Sequence, residues 1–589
     1  MTESTLNLAQ FVRSLIDAGD EKETIPGIPP SPTEIFLIMA SLLEKAGAYP
    51  HFEPAFQNIG ESNCEHYPPR FGISKSARDS AVDIGAEWKQ LDDKPAPDRI
   101  VQLWHKLFES HGESPLRERA DFTTAPEWWS KALFLLIASD EASENIGVSQ
   151  PDEEASPMYI EAIHQYVFDK VRRDRSDVAS TPDGYKVANG SAASFAVNGI
   201  KETANVFPKL NISSRGISHR NFTKNLTLLP GTGTVRCHWH APQRPLKKED
   251  SKPMNVLLVP FPYEMSAKAF KEAGKHHSAT AALDTNTDRN WANFIVDQSE
   301  YDPHDLVKLC NDLVNSAEKD GSTVNGVIFP ELAIDFYTFS EICKNLRAKN
   351  QDLEFLIAGS SDNCQGFNGN YVLTAIWSDE LKSSVTNKDS DAPVYAVLSS
   401  RRKHHRWMLN KTQIEEYGLA SVLDPRLDWW EEFVGGFREL HFYPIRESSV
   451  MSSLICEDLA RADPCHEVLK SVGPNFVVSL LMDGTQIESR WPARYAKSLS
   501  EDIATSVLTI TSYALVNRVN QSGKFKESNV IGYFASPFGS EEISLPYSSG
   551  ARGVLLCLSS EKMGDQCTVD GRQKRHRVWK LASNRPVYI

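Results

Sequence analysis

The sequence lacks the features of secreted, membrane-spanning and disulfide-stabilised proteins. Its nine cysteines are scattered singly and form no Cys-x-x-Cys pair, so we expect a reducing compartment. The longest apolar runs, 35–43 and 132–138, are too short to span a bilayer. The N-terminus has neither the basic segment nor the apolar segment of a signal peptide. We therefore expect a cytoplasmic protein that does not associate with a membrane.

The chain is also short of positive charge. It has 63 lysines and arginines against 78 aspartates and glutamates, a formal net charge of −15. This balance argues against nucleic acid as a partner, although the segment 401–406 (RRKHHR) is basic throughout. Nothing resembles a glycine-rich phosphate-binding loop, and we expect no cofactor.

What the sequence does contain falls into parts with different patterns. Over residues 1–175 apolar residues recur at helical spacing, as in 35–43 and 100–108, and the segment 31–34 (SPTE) is a well-marked helix start. We expect a mostly α-helical N-terminal domain there. Residues 176–251 are rich in Ser, Gly, Asn and Pro with short β-like pieces, which predicts a linker or extension.

Residues 252–589 alternate short β runs with helices, which is the pattern of an α/β domain. Segments such as 326–330 and 451–455 are mainly apolar, as expected of strands that are covered on both faces. The helix that begins at Pro303 has Asp302 as its cap and an apolar stripe to place against a sheet.

Three polar residues each follow a predicted strand. Glu331 comes directly after Pro330, Lys403 lies in the basic segment after strand 394–398, and Cys456 closes the apolar run that precedes it. Taken singly, each has an ordinary explanation as a solvated charge or a packed thiol. The carboxyl ends of strands are also where α/β proteins hold their active sites.

In the order Glu, Lys, Cys, these residues and their surroundings resemble the nitrilase (carbon–nitrogen hydrolase) superfamily over about 252–560. The resemblance implies a nitrilase-type α-β-β-α sandwich over 252–589 and a hydrolase that cleaves a non-peptide C–N bond in a small amide or nitrile. The similar segments are 327–333 (VIFPELA), 357–360 (IAGS), 402–405 (RKHH), 454–458 (LICED), 473–478 (GPNFVV) and 536–539 (SPFG).

The resemblance also implies roles for particular residues. Cys456 is the expected nucleophile that forms a thioester, Glu331 is the general base and acid, and Lys403 donates to the oxyanion. The second oxyanion donor is the backbone N–H of Glu457. A further glutamate downstream of the lysine, which orients the substrate in many members, is expected at Glu415.

Two of these assignments leave alternatives open. Glu416 stands beside Glu415 and is an equal candidate, and both lie farther from Lys403 than the family's usual spacing. Lys411 is closer to the two glutamates than Lys403 is. Lys403 is preferred because it keeps the Lys-x-His context of the family.

A histidine-rich segment, Cys237, His238 and His240, invites interpretation as a metal site. Its spacing fits no common zinc site, and no second pair of ligands is near in sequence. We therefore expect no metal.

The resemblance has two branches. The tripeptide 456–458 (CED) looks like the glutaminase domains of glutamine-dependent NAD synthetases. The segments 403–407 (KHHRW) and 490–496 (RWPARYA) resemble nitrilase-like domains attached to some bacterial reverse transcriptases linked to phage defence. The second branch gives the hypothesis of a role in antiviral defence.

The expected partners follow from the same resemblance. Nitrilase-like domains usually pair through the helices around the cysteine strand, so we expect a homo-oligomer through 460–470 and 491–502. The N-terminal domain would cover the site, oligomerise or recruit a protein partner. The alternative function is a nitrilase-fold scaffold or binding module whose catalytic residues are residual.

Overall fold

The computed structural model describes residues 6–16, 26–53, 69–90, 96–118, 123–148, 191–213, 218–240, 251–273, 291–298, 300–377, 397–432, 436–564 and 566–589. None of the helices in these ranges combines the length and the apolar character that a bilayer crossing requires.

The N-terminal region is helical, as the apolar periodicity predicts. The Ser31 hydroxyl accepts a hydrogen bond from the Thr33 N–H at 3.3 Å, so the predicted cap is present. Large aromatic side chains, including Trp104 and Trp129, are fully buried in the core of this region. The helices are α1 (Leu8–Leu15), α2 (Pro32–Lys45), α3 (Lys75–Lys89), α4 (Asp98–His111) and α5 (Glu127–Ala142).

The segment 191–240, which falls within the predicted linker, contributes three strands. Strands β1 (Ala204–Pro208) and β2 (Leu226–Pro230) pair with each other in antiparallel fashion. Strand β3 (Arg236–Trp239) joins a large sheet as its edge strand. This segment is therefore part of a sheet as well as a connection.

Two seven-stranded sheets dominate the C-terminal region. The first has the order β10-β9-β8-β7-β4-β19-β22 and the second has the order β18-β17-β16-β15-β14-β13-β3. Strands of the first are β4 (Met254–Leu258), β7 (Gly326–Ile328), β8 (Phe355–Asp362), β9 (Asn368–Ile376), β10 (Val397–Arg402), β19 (Ala551–Lys562) and β22 (Arg577–Tyr588). Those of the second, besides β3, are β13 (Glu439–Pro444), β14 (Val450–Ile455), β15 (Phe476–Leu481), β16 (Ser506–Thr511), β17 (Val530–Ser536) and β18 (Gly539–Ser544).

Smaller elements complete the region. A four-stranded sheet of order β11-β12-β6-β5 is formed by β5 (Phe270–Glu272), β6 (Trp291–Val296), β11 (Met408–Leu409) and β12 (Asp428–Glu431). A two-stranded sheet is formed by β20 (Gln566–Cys567) and β21 (Gln573–Lys574). The helices are α6 (Pro303–Glu318), α7 (Phe336–Lys349), α8 (Lys411–Glu416), α9 (Glu467–Val472), α10 (Trp491–Ile503) and α11 (Tyr513–Gln521).

The two large sheets pack against each other. One apolar cluster joins Val256 and Leu556 of the first sheet to Met451 and Val478 of the second. A separate cluster packs α6 and α7 against the other side of the first sheet. The predicted arrangement of a helical N-terminal region followed by a mixed α/β region is therefore confirmed.

The N-terminal region covers α9 and α10 on the second sheet. Val468 of α9 and Leu499 of α10 share one apolar cluster with residues of α2 and α5. The Leu210 N–H donates to the Val472 carbonyl at 2.8 Å. Part of the surface predicted to pair two copies of the chain is thus buried within one copy.

A buried ion network ties α5 to the C-terminal region. The Asp140 carboxylate accepts hydrogen bonds from the Asn225 and Leu226 N–H groups at 2.9 Å and from Arg572 at 2.9 Å. Arg572 also contacts Glu141 at 2.9 Å. These charges are withdrawn from solvent, so each depends on the others for compensation.

Candidate active site

Glu331, Lys403 and Cys456 lie just beyond three strands, as predicted. Glu331 follows β7, Lys403 directly follows β10, and Cys456 directly follows β14. Their exposed fractions are 1%, 2% and 1%. The first two residues come from the first large sheet and the third comes from the second, so the site lies where the two sheets meet.

Lys403 holds two carboxylates together. Its Nζ donates to Glu331 Oε1 at 2.8 Å and to Glu431 Oε2 at 2.6 Å. Asn370 Nδ2 donates to the same two carboxylates, at 2.7 Å to Glu331 and 2.6 Å to Glu431. The Asn370 carbonyl in turn accepts from the Lys403 N–H at 2.8 Å, which fixes the backbone beneath the ammonium.

The second glutamate at the lysine is Glu431, which corrects the expectation for Glu415. Glu415 lies on α8, where its exposed carboxylate pairs with Lys524 at 3.1 Å. The open alternative, Glu416, pairs instead with Arg490 at 3.3 Å. Neither carboxylate takes part in the hydrogen bonds around Lys403.

Glu431 reaches the site because it ends β12 of the four-stranded sheet. Its N–H donates to the Trp407 carbonyl at 2.9 Å, and its Oε2 accepts from the Trp407 N–H at 3.0 Å. From the sequence alone, residue 431 is assigned no role. A strand with two adjacent tryptophans gives no sequence signal that its last residue is buried beside a lysine.

The buried charges set the protonation of the three central residues. Burial raises the pKa of Glu331 to about 7, with Glu431 adding to the effect and Lys403 opposing it. At Lys403 the two carboxylates outweigh burial and hold the pKa well above its usual range. Burial and the Glu331 charge raise the pKa of the Cys456 thiol well above its usual range, against the effect of Lys403. The resting site therefore holds a neutral thiol and an ammonium.

The two oxygens of Glu331 differ. Oε1 accepts from both Lys403 and Asn370, whereas the buried Oε2 has no hydrogen-bond partner among the residues that the structure describes. A buried carboxylate oxygen without a partner is costly. Oε2 is therefore the oxygen that is available to exchange a proton.

Two residues of the site have a left-handed backbone although neither is glycine. Cys456 has a φ of 42° and Leu332, directly after Glu331, has a φ of 52°. Such conformations cost on the order of 1–3 kcal/mol and persist where the surroundings dictate them. Gly359 contributes to this constraint, because a Cβ there would lie 2.4 Å from the Glu331 Cα.

The turn after Cys456 is anchored by the basic segment. The buried Asp458 carboxylate pairs with Arg401 at 2.9 Å and accepts from the His404 N–H at 3.1 Å. His405 Nδ1 lies 3.1 Å from the same carboxylate. Arg401 and Lys403 of this segment are thus charged groups buried around the site.

Glu457 has its side chain at the margin of the site. Its carboxylate lies 3.6 Å from Arg461, and burial raises its pKa. The role expected for this residue rests on its backbone N–H and stays a prediction.

Comparisons with known proteins give likenesses of low similarity. No family model and no curated protein matches the chain. Among solved structures it is similar to an amidase from Nesterenkonia sp., with 11% identity, 56% of this chain and 90% of that chain covered, and a TM-score of 0.26. It is also similar to Nit3 of Saccharomyces cerevisiae, a member of the nitrilase superfamily. The identity is 12%, 51% of this chain and 93% of that chain are covered, and the TM-score is 0.28. For glutamine-dependent NAD+ synthetase from Acinetobacter baumannii the identity is 14%, 44% of this chain and 38% of that chain are covered, and the TM-score is 0.25. These values assign no family.

Proposed function

We propose that this protein hydrolyses a non-peptide C–N bond, in an amide or a nitrile, through a thioester on Cys456. The observation that carries the proposal is the buried Lys403 ammonium between two carboxylates, with the buried Cys456 thiol at the end of β14 where the two large sheets meet. A nucleophile, a proton acceptor and a cation within one enclosed site are the parts that acyl transfer requires.

In the first half of the reaction with an amide, Cys456 Sγ attacks the carbonyl carbon while its proton passes to Glu331 Oε2. Lys403 Nζ and the Glu457 N–H donate to the oxyanion, and loss of one such donor typically costs on the order of 100- to 1000-fold in rate. Glu331 then gives the proton to the leaving nitrogen, which departs as ammonia or an amine. A thioester remains on Cys456.

In the second half, Glu331 takes a proton from water, and the resulting hydroxide attacks the thioester carbon. The C–S bond breaks, the thiol regains its proton, and the acid is released. Glu431 and Asn370 hold Lys403 in place through both halves, because each bonds the lysine directly or the carboxylate beside it.

The test is the reaction of the thiol. We expect Cys456→Ala to abolish ammonia release and labelling by an electrophilic amide or nitrile probe, with the circular dichroism spectrum unchanged. Cys557→Ala, at a partly exposed cysteine of β19, is the matched control and should keep both activities. A wild-type protein whose Cys456 remains unlabelled, measured by mass spectrometry, would contradict the proposal.

One observation favours the alternative of a catalytically residual scaffold or binding module. The Cys456 side chain is enclosed, and burial keeps its thiol protonated. Under this alternative Cys456→Ala retains the biological phenotype in full, whereas hydrolysis predicts its loss. The roles in antiviral defence and with a protein partner stay predictions that the same phenotype assay addresses.

A further inference from the structure

Outside the active site, a second cluster of chemically reactive side chains lies on β3 and β13. The two strands run parallel, and their pairing sets His238 directly opposite His441. Glu439 lies two residues before His441 and so points to the same face of the sheet. One ligand atom from each of these three residues lies within 4.8 Å of the other two.

Hydrogen bonds orient the two imidazole rings from their Nδ1 sides. His441 Nδ1 lies 3.1 Å from the Tyr443 hydroxyl and 3.2 Å from His240 Nε2. His238 Nδ1 lies 3.4 Å from the Ser191 hydroxyl. On the opposite side of both rings, the buried Nε2 atoms have no hydrogen-bond partner within the described part of the chain. The two orphaned atoms face the same carboxylate.

The separations suit ligands of one ion better than hydrogen bonds. His238 Nε2 lies 3.6 Å from Glu439 Oε1, and His441 Nε2 lies 3.9 Å from Glu439 Oε2. Both are too long for hydrogen bonds. Ligand atoms about 2.0–2.2 Å from a tetrahedral zinc ion would be about 3.3–3.6 Å apart, and the two separations from Glu439 lie at or just above this range.

The chemistry of the three donors also fits a cation. Two imidazole nitrogens and one carboxylate form a ligand set that zinc uses, with water in the remaining position. The Glu439 side chain, 30% exposed, leaves a route from solvent.

We propose that His238, Glu439 and His441 bind a divalent transition metal ion, with Zn²⁺ as the best match. Tyr443 holds His441 from behind, in the manner of the outer partners that fix a ligand's ring orientation. Cys237, which the sequence sets beside His238, lies in the apolar core on the other face of β3 and takes no part.

Nearby positive charge does not fill the site. Arg401 lies close to the cluster, but its guanidinium pairs with the buried Asp458 at 2.9 Å. Arg236 stacks on the Phe437 ring, with 3.2 Å from its Cζ to the ring centroid. The carboxylate of Glu439 therefore remains directed to the two histidines rather than to an arginine.

The consequence of a bound ion would be structural. The Glu439 carbonyl and N–H lie 2.8 and 3.0 Å from His404 Nε2, and the His404 N–H donates to Asp458. An ion at Glu439 would brace the edge strands against the turn that carries Cys456. We expect it to raise the melting temperature, because it binds the folded state alone.

The experiment titrates the chelator-treated full-length protein with ZnCl2 by calorimetry and metal analysis. The wild type should bind one Zn²⁺ per chain and gain thermal stability. His304→Gln, at an exposed histidine of α6, is the matched control and should bind equally. Glu439→Gln should lose stoichiometric binding, and Tyr443→Phe should bind about 10- to 100-fold more weakly.

Two results would overturn the proposal: a wild type without one-to-one binding, or a Glu439→Gln variant with wild-type affinity. Glu439→Gln is the decisive variant because its side chain reaches the surface and the substitution keeps its shape. Should the Glu439→Gln variant nevertheless unfold, the visible absorption spectrum of Co²⁺ bound to the wild type tests the site instead. Visible absorption bands typical of four-coordinate cobalt with nitrogen and oxygen ligands are expected, and a six-coordinate aqua-like spectrum would contradict the site.

Discussion

At the scale of single residues, Glu331 decides when the site can react. Its carboxylate must be ionised to accept the thiol proton, and burial raises its pKa to about 7. An acid with a raised pKa is protonated below that value, and Lys403 opposes the shift without removing it. The residue is therefore poised near neutral pH, where a general base is most effective.

We accordingly expect kcat/KM for hydrolysis to rise with pH and to level off above about 7. Activity should be lost as the pH falls through that value, because protonated Glu331 cannot accept a proton. The measurement is a profile of kcat/KM against pH, recorded in a series of overlapping buffers at constant ionic strength. A rate that is level between pH 5 and pH 8 would assign the proton transfer to another group.

The correction from Glu415 to Glu431 gives a paired experiment. Glu431→Gln removes the charge that holds Lys403 on one side, and we expect kcat to fall by about 100-fold, the typical cost of a misplaced catalytic group. Glu415→Gln changes only an exposed pair with Lys524 and should keep full activity. Steady-state kinetics on both variants decides between the two glutamates, and the reverse ranking would restore Glu415.

The sequence predicts the residues of this site unequally. The positions of Glu331, Lys403 and Cys456 beyond strands are predictable because the strand character of the preceding segments is local, whereas their roles are implied only by the family resemblance. Glu431 is not, since it reaches Lys403 only when β12 pairs with β6, far away in the chain. His238 and His441 are missed as a pair for the same reason, because no local pattern states which strands become neighbours.

At the scale of elements, strand existence is predicted better than strand ends. The mainly apolar segment 507–516 is divided between two elements, since β16 stops at Thr511 and α11 begins at Tyr513. Its apolar run continues because the helix packs against the same sheet, so composition does not mark the change. The sequence does not predict the four-stranded sheet, because its strands are only two to six residues long.

Buried ion pairs join α5 to Arg572. Arg572→Ala would leave the carboxylates of Asp140, Glu141 and Asp570 buried without their main cation, and we expect a loss of about 3–5 kcal/mol in the free energy of unfolding. Arg585→Ala removes a half-exposed pair with Asp320 and should cost less than about 1 kcal/mol. Urea denaturation measures both, and equal midpoints would show that the network does not stabilise the fold.

At the scale of the whole molecule, the N-terminal region acts as the cover of the second sheet. A fragment that begins at residue 252 would expose the apolar faces of α9 and α10 and leave β13 as an open sheet edge. We expect it to self-associate in light scattering after size-exclusion chromatography. A fragment from residue 191 keeps β3 and should associate less; a monodisperse monomer from residue 252 would contradict this.

The same cover bears on the predicted homo-oligomer, which stays a prediction. Pairing through 460–470 and 491–502 would use only what the N-terminal region leaves open, because Val468 and Leu499 are already buried in it. One face of the C-terminal region is thus occupied from within the chain.

The contact between Asp140 and Arg572 also sets an order on biosynthesis. The two residues are 432 positions apart, and a ribosome adding about 5–20 residues per second needs roughly 20–90 s to pass from one to the other. During that interval α5 has been made, but Arg572, which contacts both Asp140 and Glu141, has not. The charge network that ties α5 to the C-terminal region is therefore completed only near the end of translation.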